Sequence, residues 1–380
     1  MTGSDLISSD QVAGYPHPKV TKTLYGHDAK EQEFLRCFES GKLHHSWLIT
    51  GTRGVGKATL AWRIAKFILT QPLGEMNPKD IGKNTLQENL DKTEATINKS
   101  DYAKIIAESD PRISVVRRGF DEKRKAFRSN IVVDDIRRLK SFFSMSVSDG
   151  GNRVVIIDCA DDMNVNAANA FLKILEEPPK NSLFLIICHN PQTLLSTIKS
   201  RCRELKLTDL KEQDLMNALA QIELSFPTTD NEIYSLLGCG SVGNTIKLIE
   251  HDGATMYRNI LSFLEQMPNL NGHELVNFIE TLSGTKNRSQ LELFVDLLNT
   301  AIARLSKAGV LGPYSSDQFI KVEKEVFQKL CPTPIMAPRW ADLVQIQSKN
   351  LDHGLSVNLD PGSLILDTFF RIQDCAEAVR

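Results

Sequence analysis

From Gly26 to Leu69 the chain alternates helical periodicity with short unbroken apolar runs. An amphipathic stretch through Glu33-Phe34-Leu35 leads into Trp47-Leu48-Ile49-Thr50, then a glycine-rich turn, then a helical pattern from Thr59 to Leu69. Two further runs of strand length, Val154-Val155-Ile156-Ile157 and Leu183-Phe184-Leu185-Ile186-Ile187, flank a helical pattern from about Val165 to Leu175. Strands without polar alternation are buried on both faces, so the pattern predicts a parallel sheet covered by helices, the α/β class.

Beyond Leu207 the strand-length runs stop. Helical patterns fill Leu210 to His251 and then several longer segments from about His273 onward. The expected organisation is an α/β core over 1–207, a small helical lid over 208–255 and a helical domain over 256–380. A chain of 380 residues exceeds what one core usually supports, in keeping with that division. Within the core, Gly74 to Ser100 is rich in Asn, Lys, Asp and Glu and reads as a solvated insertion or flexible loop without chemistry.

Composition narrows the function classes. With 41% hydrophobic and 24% charged residues and a formal net charge of -2, the chain lacks the electrostatic footprint of a protein that grips DNA along its whole surface. Any nucleic-acid contact is then local or delegated to partners. The N-terminal stretch through Val20 has no apolar core and reads as a loose arm, neither signal peptide nor anchor. No stretch approaches the length of a membrane span, so no membrane partner and a cytoplasmic location are expected. The seven cysteines are scattered singly with no C-x-x-C pair, as small buried residues in a reducing compartment would be.

Three segments carry candidate chemistry. Gly51-Thr52-Arg53-Gly54-Val55-Gly56-Lys57-Ala58-Thr59 follows a strand and opens a helix, the context a phosphate-binding loop requires. Gly51, Gly54 and Gly56 let backbone N–H groups surround phosphate oxygens, and Lys57 reaches the terminal ones. Ala58 stands where a working loop has the hydroxyl that ligates magnesium, with Thr59 next door as a partial substitute. At the end of the second long apolar run, Asp158 occupies the place of a metal-organising carboxylate, but Cys159 stands where the water-activating Glu belongs. A thiol is neutral near pH 7 and no base for that step. Asp161 reads as a cap rather than a replacement base. The third segment is Ser200-Arg201-Cys202-Arg203, where Arg201 is either a surface ion pair or a guanidinium offered to a neighbour's phosphate. Adjacent Glu176 and Glu177 point in different directions and make no acid–base pair, while Asn190 is either a turn former before Pro191 or a nucleotide contact.

The ordered blocks HHSWLITGTRGVGKATLA, VVIIDCADDMNVNAANAFLKILEEPP and SRC resemble the bacterial clamp-loader branch of AAA+ proteins, over about the first two-thirds of the chain. The segments Ser109-Asp110-Pro111 and Asn130 through Arg137 fit the same resemblance. The losses at Ala58 and Cys159 resemble its delta-prime members rather than its gamma/tau-like motors. The resemblance implies an AAA+ P-loop NTPase-like core, a lid, and a C-terminal collar in a pentameric ring. Arg201 would serve in trans as an arginine finger for a motor subunit. Gly51, Gly54, Gly56, Lys57, Ala58, Thr59 and Asp158 would form a degenerate nucleotide site that holds ATP, if at all, without hydrolysis. Implied partners are the motor and delta subunits and, through the complex, the sliding clamp and primed DNA. Motors also carry a phosphate-sensing Arg in the lid, which falls here at Gly243. Family members carry a four-cysteine zinc module after the phosphate-loop helix, yet no cysteine lies between Cys37 and Cys159, so no zinc is expected. Two alternatives compete: an active motor subunit, which needs the missing hydroxyl and Glu, and an ATP-dependent binding module outside replication, which leaves the LEEPP and SRC blocks unexplained.

Overall fold

The computed structural model describes residues 9, 11, 14–71, 85–96, 99–121, 123, 126–145, 151–224, 226–282, 288–312, 319–356 and 360–377. Most of the expected N-terminal arm and residues 74–84, 97 and 98 of the expected insertion lie outside them. Two compact units emerge, the first comprising Met1–Ser225 with Cys239–Asn244 and the second Phe226–Gly238 with Thr245–Arg380.

In the first unit the order is α1 (Asp28–Glu39), β1 (Ser46–Thr50), α2 (Lys57–Thr70), α3 (Leu86–Thr96), α4 (Lys99–Ile106), β2 (Ile113–Arg117), β3 (Phe120–Asp121), β4 (Ala126–Phe127), α5 (Val133–Ser144), β5 (Arg153–Asp158), α6 (Val165–Glu176), β6 (Ser182–Cys188), α7 (Ser196–Lys199), β7 (Arg203–Lys206) and α8 (Glu212–Gln221). Five strands form one parallel sheet in the order β2-β5-β6-β1-β7, and β3 pairs with β4 as a separate antiparallel hairpin. Alternate residues of the central strands feed two cores. Trp47, Ile49, Val154 and Ile156 pack with Phe34, Trp62 and Phe67 on one side, while Leu48, Val155, Ile157 and Phe184 pack with Phe171 and Ile136 on the other. This two-sided burial makes the central strands read as unbroken apolar runs. The core is a parallel α/β sheet with a glycine-rich loop between β1 and α2, the class that the apolar runs predict.

The segment read as a solvated loop is in part helical. Thr85 and Glu88 form a capping box, the Glu88 amide donating to Thr85 Oγ1 at 3.2 Å and the Thr85 amide to Glu88 Oε2 at 2.8 Å. Leu86 and Leu90, one turn apart, are buried in the same core as α2. Arg63 of α2 joins the two helices: its guanidinium donates to Gln87 Oε1 at 2.6 Å and pairs with buried Glu31 at 2.6 Å.

The described elements of the second unit are helices joined by short connections: α9 (Asn231–Gly238), α10 (Val242–Glu250), whose first turn belongs to the first unit, α11 (Gly253–Gln266), α12 (Gly272–Leu282), α13 (Arg288–Leu311), α14 (Lys321–Leu330), α15 (Ala337–Ser356) and α16 (Pro361–Glu377). Tyr257, Phe294, Phe327, Trp340 and Phe369 fill one continuous core. Inside it Glu323, fully buried, accepts from Arg304 Nε at 2.6 Å, from Arg304 Nη2 at 2.7 Å and from the Tyr257 hydroxyl, tying α11, α13 and α14 together. Among the described residues no helix is long and apolar enough to cross a membrane.

Candidate functional site

Because the sheet is parallel, the carboxyl ends of β1, β5 and β6 meet at one edge, and they bring the Gly51 loop, Asp158-Cys159 and Cys188-His189 together. Gly51, Gly54 and Gly56 all have positive φ, at 141°, 78° and 108°. At Gly54 the reason extends beyond backbone freedom. A Cβ there would lie 2.6 Å from Ser241 Oγ and 2.8 Å from Gly243 Cα.

That neighbour is the segment that opens α10. The Ser241 hydroxyl donates to the Arg53 carbonyl at 2.7 Å, and the Gly243 amide to the Gly54 carbonyl at 3.2 Å. The remaining loop carbonyls are also occupied. Lys57 Nζ donates to Gly51 O at 2.6 Å and Thr52 O at 2.7 Å, His27 Nε2 lies 3.0 Å from Val55 O, and the Leu60 amide donates to Gly56 O at 2.9 Å. The lysine expected to reach phosphate is turned onto its own loop. It is 3% exposed, and burial pushes its pKa down to about 8 against the pull of the carboxylates of Asp158 and Asp161. Ala58 packs against the core of α2, and Thr59 follows it in the first turn.

The second acidic position is equally committed to structure. Cys159 is buried, and burial followed by the neighbouring Asp161 raises its thiol pKa far above the usual range. No thiolate is on hand to accept a proton from water. Asp161 accepts the Cys159 thiol and the amides of His189 at 3.0 Å and Asn190 at 3.1 Å; these bonds outweigh burial and hold its carboxyl low. It caps the β6 turn, as a loop carboxylate would. His189 is kept neutral, its pKa lowered to about 4 by burial and then by the charge on Lys57. Asn190 Oδ1 accepts the Gln192 amide at 3.1 Å, which is the turn-forming use of that side chain.

Arg201 lies elsewhere. Its carbonyl accepts the hydroxyl of Ser46, the first residue of β1, at 2.6 Å, whereas the Gly51–Gly56 loop starts after the last residue of β1. A five-residue strand at about 3.3 Å per residue separates them by about 16 Å. The guanidinium is 37% exposed, pairs with Glu176 at 3.0 Å and donates to the Thr197 carbonyl at 3.0 Å. Sequence reasoning singled out Arg201 and Gly243, but neither Glu176 as a partner of the arginine nor Ser241 as a partner of the loop. The first pair lies 25 positions apart and the second 188, and no local periodicity links them.

Comparison with known proteins finds similarity over the part of the chain that contains these residues. The family model described as DNA polymerase III, delta subunit, matches residues 26–211, the stretch that contains the loop, Asp158 and Arg201. Over that stretch the chain is similar to DNA polymerase III subunits. Its relatives include DNA polymerase III subunit gamma of Buchnera aphidicola subsp. Schizaphis graminum, 29% identical over 62% of this chain and 58% of that one. Subunit delta' of Bacillus subtilis is 28% identical over 55% of this chain and 52% of its own. Subunit delta' of Pseudomonas aeruginosa is 51% identical over a shorter stretch, 19% of this chain and 22% of that one. The chain thus spans at most 58% of these three relatives, whose names fall on both the delta-prime and the gamma side.

Proposed function

We propose that this chain is the delta-prime-like member of a DNA polymerase III clamp loader. It hydrolyses no ATP and supplies Arg201 to the ATP site of an adjacent gamma/tau-like subunit during loading of the sliding clamp onto primed DNA. The observation that carries the proposal is the separation of Arg201 from its own phosphate loop by the full length of β1. A half-exposed guanidinium on that edge has no phosphate of its own chain to meet. Offered to a neighbour's triphosphate, it meets negative charge that develops only as the terminal phosphoryl group is transferred.

The other side of the proposal is the loss of hydrolysis in cis. The site lacks a hydroxyl at Ala58 and a carboxylate at Cys159, its Asp161 is spent on the β6 turn, and Lys57 is bonded to loop carbonyls. Any nucleotide that Gly51, Gly54, Gly56, Lys57, Thr59 and Asp158 held would therefore stay intact. In this reading residues 208–255 act as the lid and 256–380 as the collar that joins the ring.

The test is to purify the chain alone and with gamma/tau-type and delta subunits. Alone it should show no ATP turnover above a Lys57→Ala control, and together the subunits should elute as one complex. Turnover by the isolated chain that Lys57→Ala abolishes would instead favour the active-motor reading.

A further inference from the structure

Glu176 is the last residue of α6, in the Leu175-Glu176-Glu177-Pro178 block that sequence reasoning left without chemistry. Its carboxylate lies 3.0 Å from Arg201 Nη2, and Nη1 of the same guanidinium donates to the Thr197 carbonyl in α7 at 3.0 Å. The Arg201 backbone is fixed by the Ser46 hydroxyl at 2.6 Å. An arginine side chain on a loop otherwise samples many rotamers, and ordering it costs side-chain entropy. Here three elements, the end of α6, α7 and the start of β1, hold one residue. An ion pair this exposed, with side chains 37% and 44% accessible, contributes little to folding, so stability does not account for it.

We infer that Glu176 is a positioning residue for Arg201, holding the guanidinium extended toward the neighbouring subunit before the triphosphate arrives. The inference rests on the trans role of Arg201 proposed above. A guanidinium has five N–H donors, and the bonds to Glu176 and Thr197 use two of them. Three remain for a phosphate, so the tether and the ligand occupy different parts of the fork. Losing the tether returns the rotamer freedom that the bound state must remove again. The exposed-pair scale of roughly 0.2–1 kcal/mol sets the effect at about 1.4- to 5-fold.

The experiment measures clamp loading on primed DNA by complexes reconstituted with Glu176→Ala, Glu176→Gln, Arg201→Ala and Glu176→Ala/Arg201→Ala, with thermal unfolding of each chain as a folding control. Glu176→Ala should slow loading by about 1.4- to 5-fold with its melting point unchanged. Glu176→Gln, which keeps an acceptor oxygen at the same reach, should restore most of the rate. The double variant should be no slower than Arg201→Ala alone. Loading by Glu176→Ala at or above the wild-type rate, a Gln variant no better than Ala, or a further loss in the double variant overturns the positioning role. A wild-type rate for Arg201→Ala overturns the arginine reading itself, so the two failures are distinguishable.

Discussion

The Gly243 amide donates to the Gly54 carbonyl at 3.2 Å, joining the first turn of α10 to the Gly51–Gly56 loop backbone to backbone. A Cβ on Gly54, whose φ is 78°, would sit within 2.9 Å of Ser241 Oγ and of the Gly243 backbone. Gly54→Ala should therefore destabilise the chain by about 1–3 kcal/mol, the scale of a strained backbone position. Urea unfolding monitored by tryptophan fluorescence reads this directly, and a change below about 0.5 kcal/mol would mean that the contact is not made in solution.

The same contact bears on any attempt to rebuild a motor site. A Cβ on Gly243 would stand 3.0 Å from Gly54 Cα, so the side chain of Gly243→Arg has to displace the loop before it can point at a phosphate. Gly243→Arg combined with Ala58→Thr and Cys159→Glu should yield a less stable chain without measurable ATP turnover. Turnover approaching that of gamma-type subunits in the triple variant would show that the seated segment is no obstacle.

Lys57 gives the account a pH signature. Its folded pKa is about 8 against an ordinary 10.5, so between those values the unfolded chain holds the extra proton. Stability credited to this site then rises with pH across that window, by up to about 1.4 kcal/mol per unit. The stability difference between wild type and Lys57→Met should shift toward wild type from pH 8 to pH 10. A difference that is flat with pH would place the ammonium in solvent rather than against the loop carbonyls.

In the helical unit, Glu323 is buried with Arg304 and Tyr257 around it. Removing one partner of a buried pair leaves the other charge uncompensated, at about 3–5 kcal/mol. Glu323→Ala should lower the melting temperature sharply, and Arg304→Met in the same chain should recover part of the loss. An unchanged melting temperature for Glu323→Ala would remove the network from the account.

Much of this was legible in the chain itself, for physical reasons. The runs around Trp47, Val154 and Leu183 are buried on both faces and so read as strands, and the glycines of the loop announce the turn after β1. The edge strands β2 and β7 were not legible. Arg203-Glu204-Leu205-Lys206 buries only Leu205, so no apolar run marks it. Polar composition concealed α3, although the Thr85–Glu88 box and the Leu86–Leu90 spacing were there to be read. Within the site, the residue types at Ala58, Cys159 and Arg201 were visible in the sequence. Asp161 was likewise read as a cap, whereas the inward turn of Lys57 and the seat of Gly243 depend on three-dimensional neighbours that no local pattern encodes.

The central claim is that Arg201 acts on a neighbour's nucleotide and not on its own. Arg201→Ala buries or exposes little, so the chain should fold and enter the reconstituted complex as wild type does. An arginine supplied in trans is worth about 10³ to 10⁵ in phosphoryl transfer at the site it serves. The direct measurement is the rate of clamp loading and DNA-stimulated ATP turnover by complexes that carry wild-type chain, Arg201→Ala or Arg201→Lys. The account predicts slower loading and turnover for Arg201→Ala, with poor rescue by Lys, which lacks the planar fork. Wild-type loading and turnover by a fully assembled Arg201→Ala complex would contradict it and leave the guanidinium as the surface partner of Glu176.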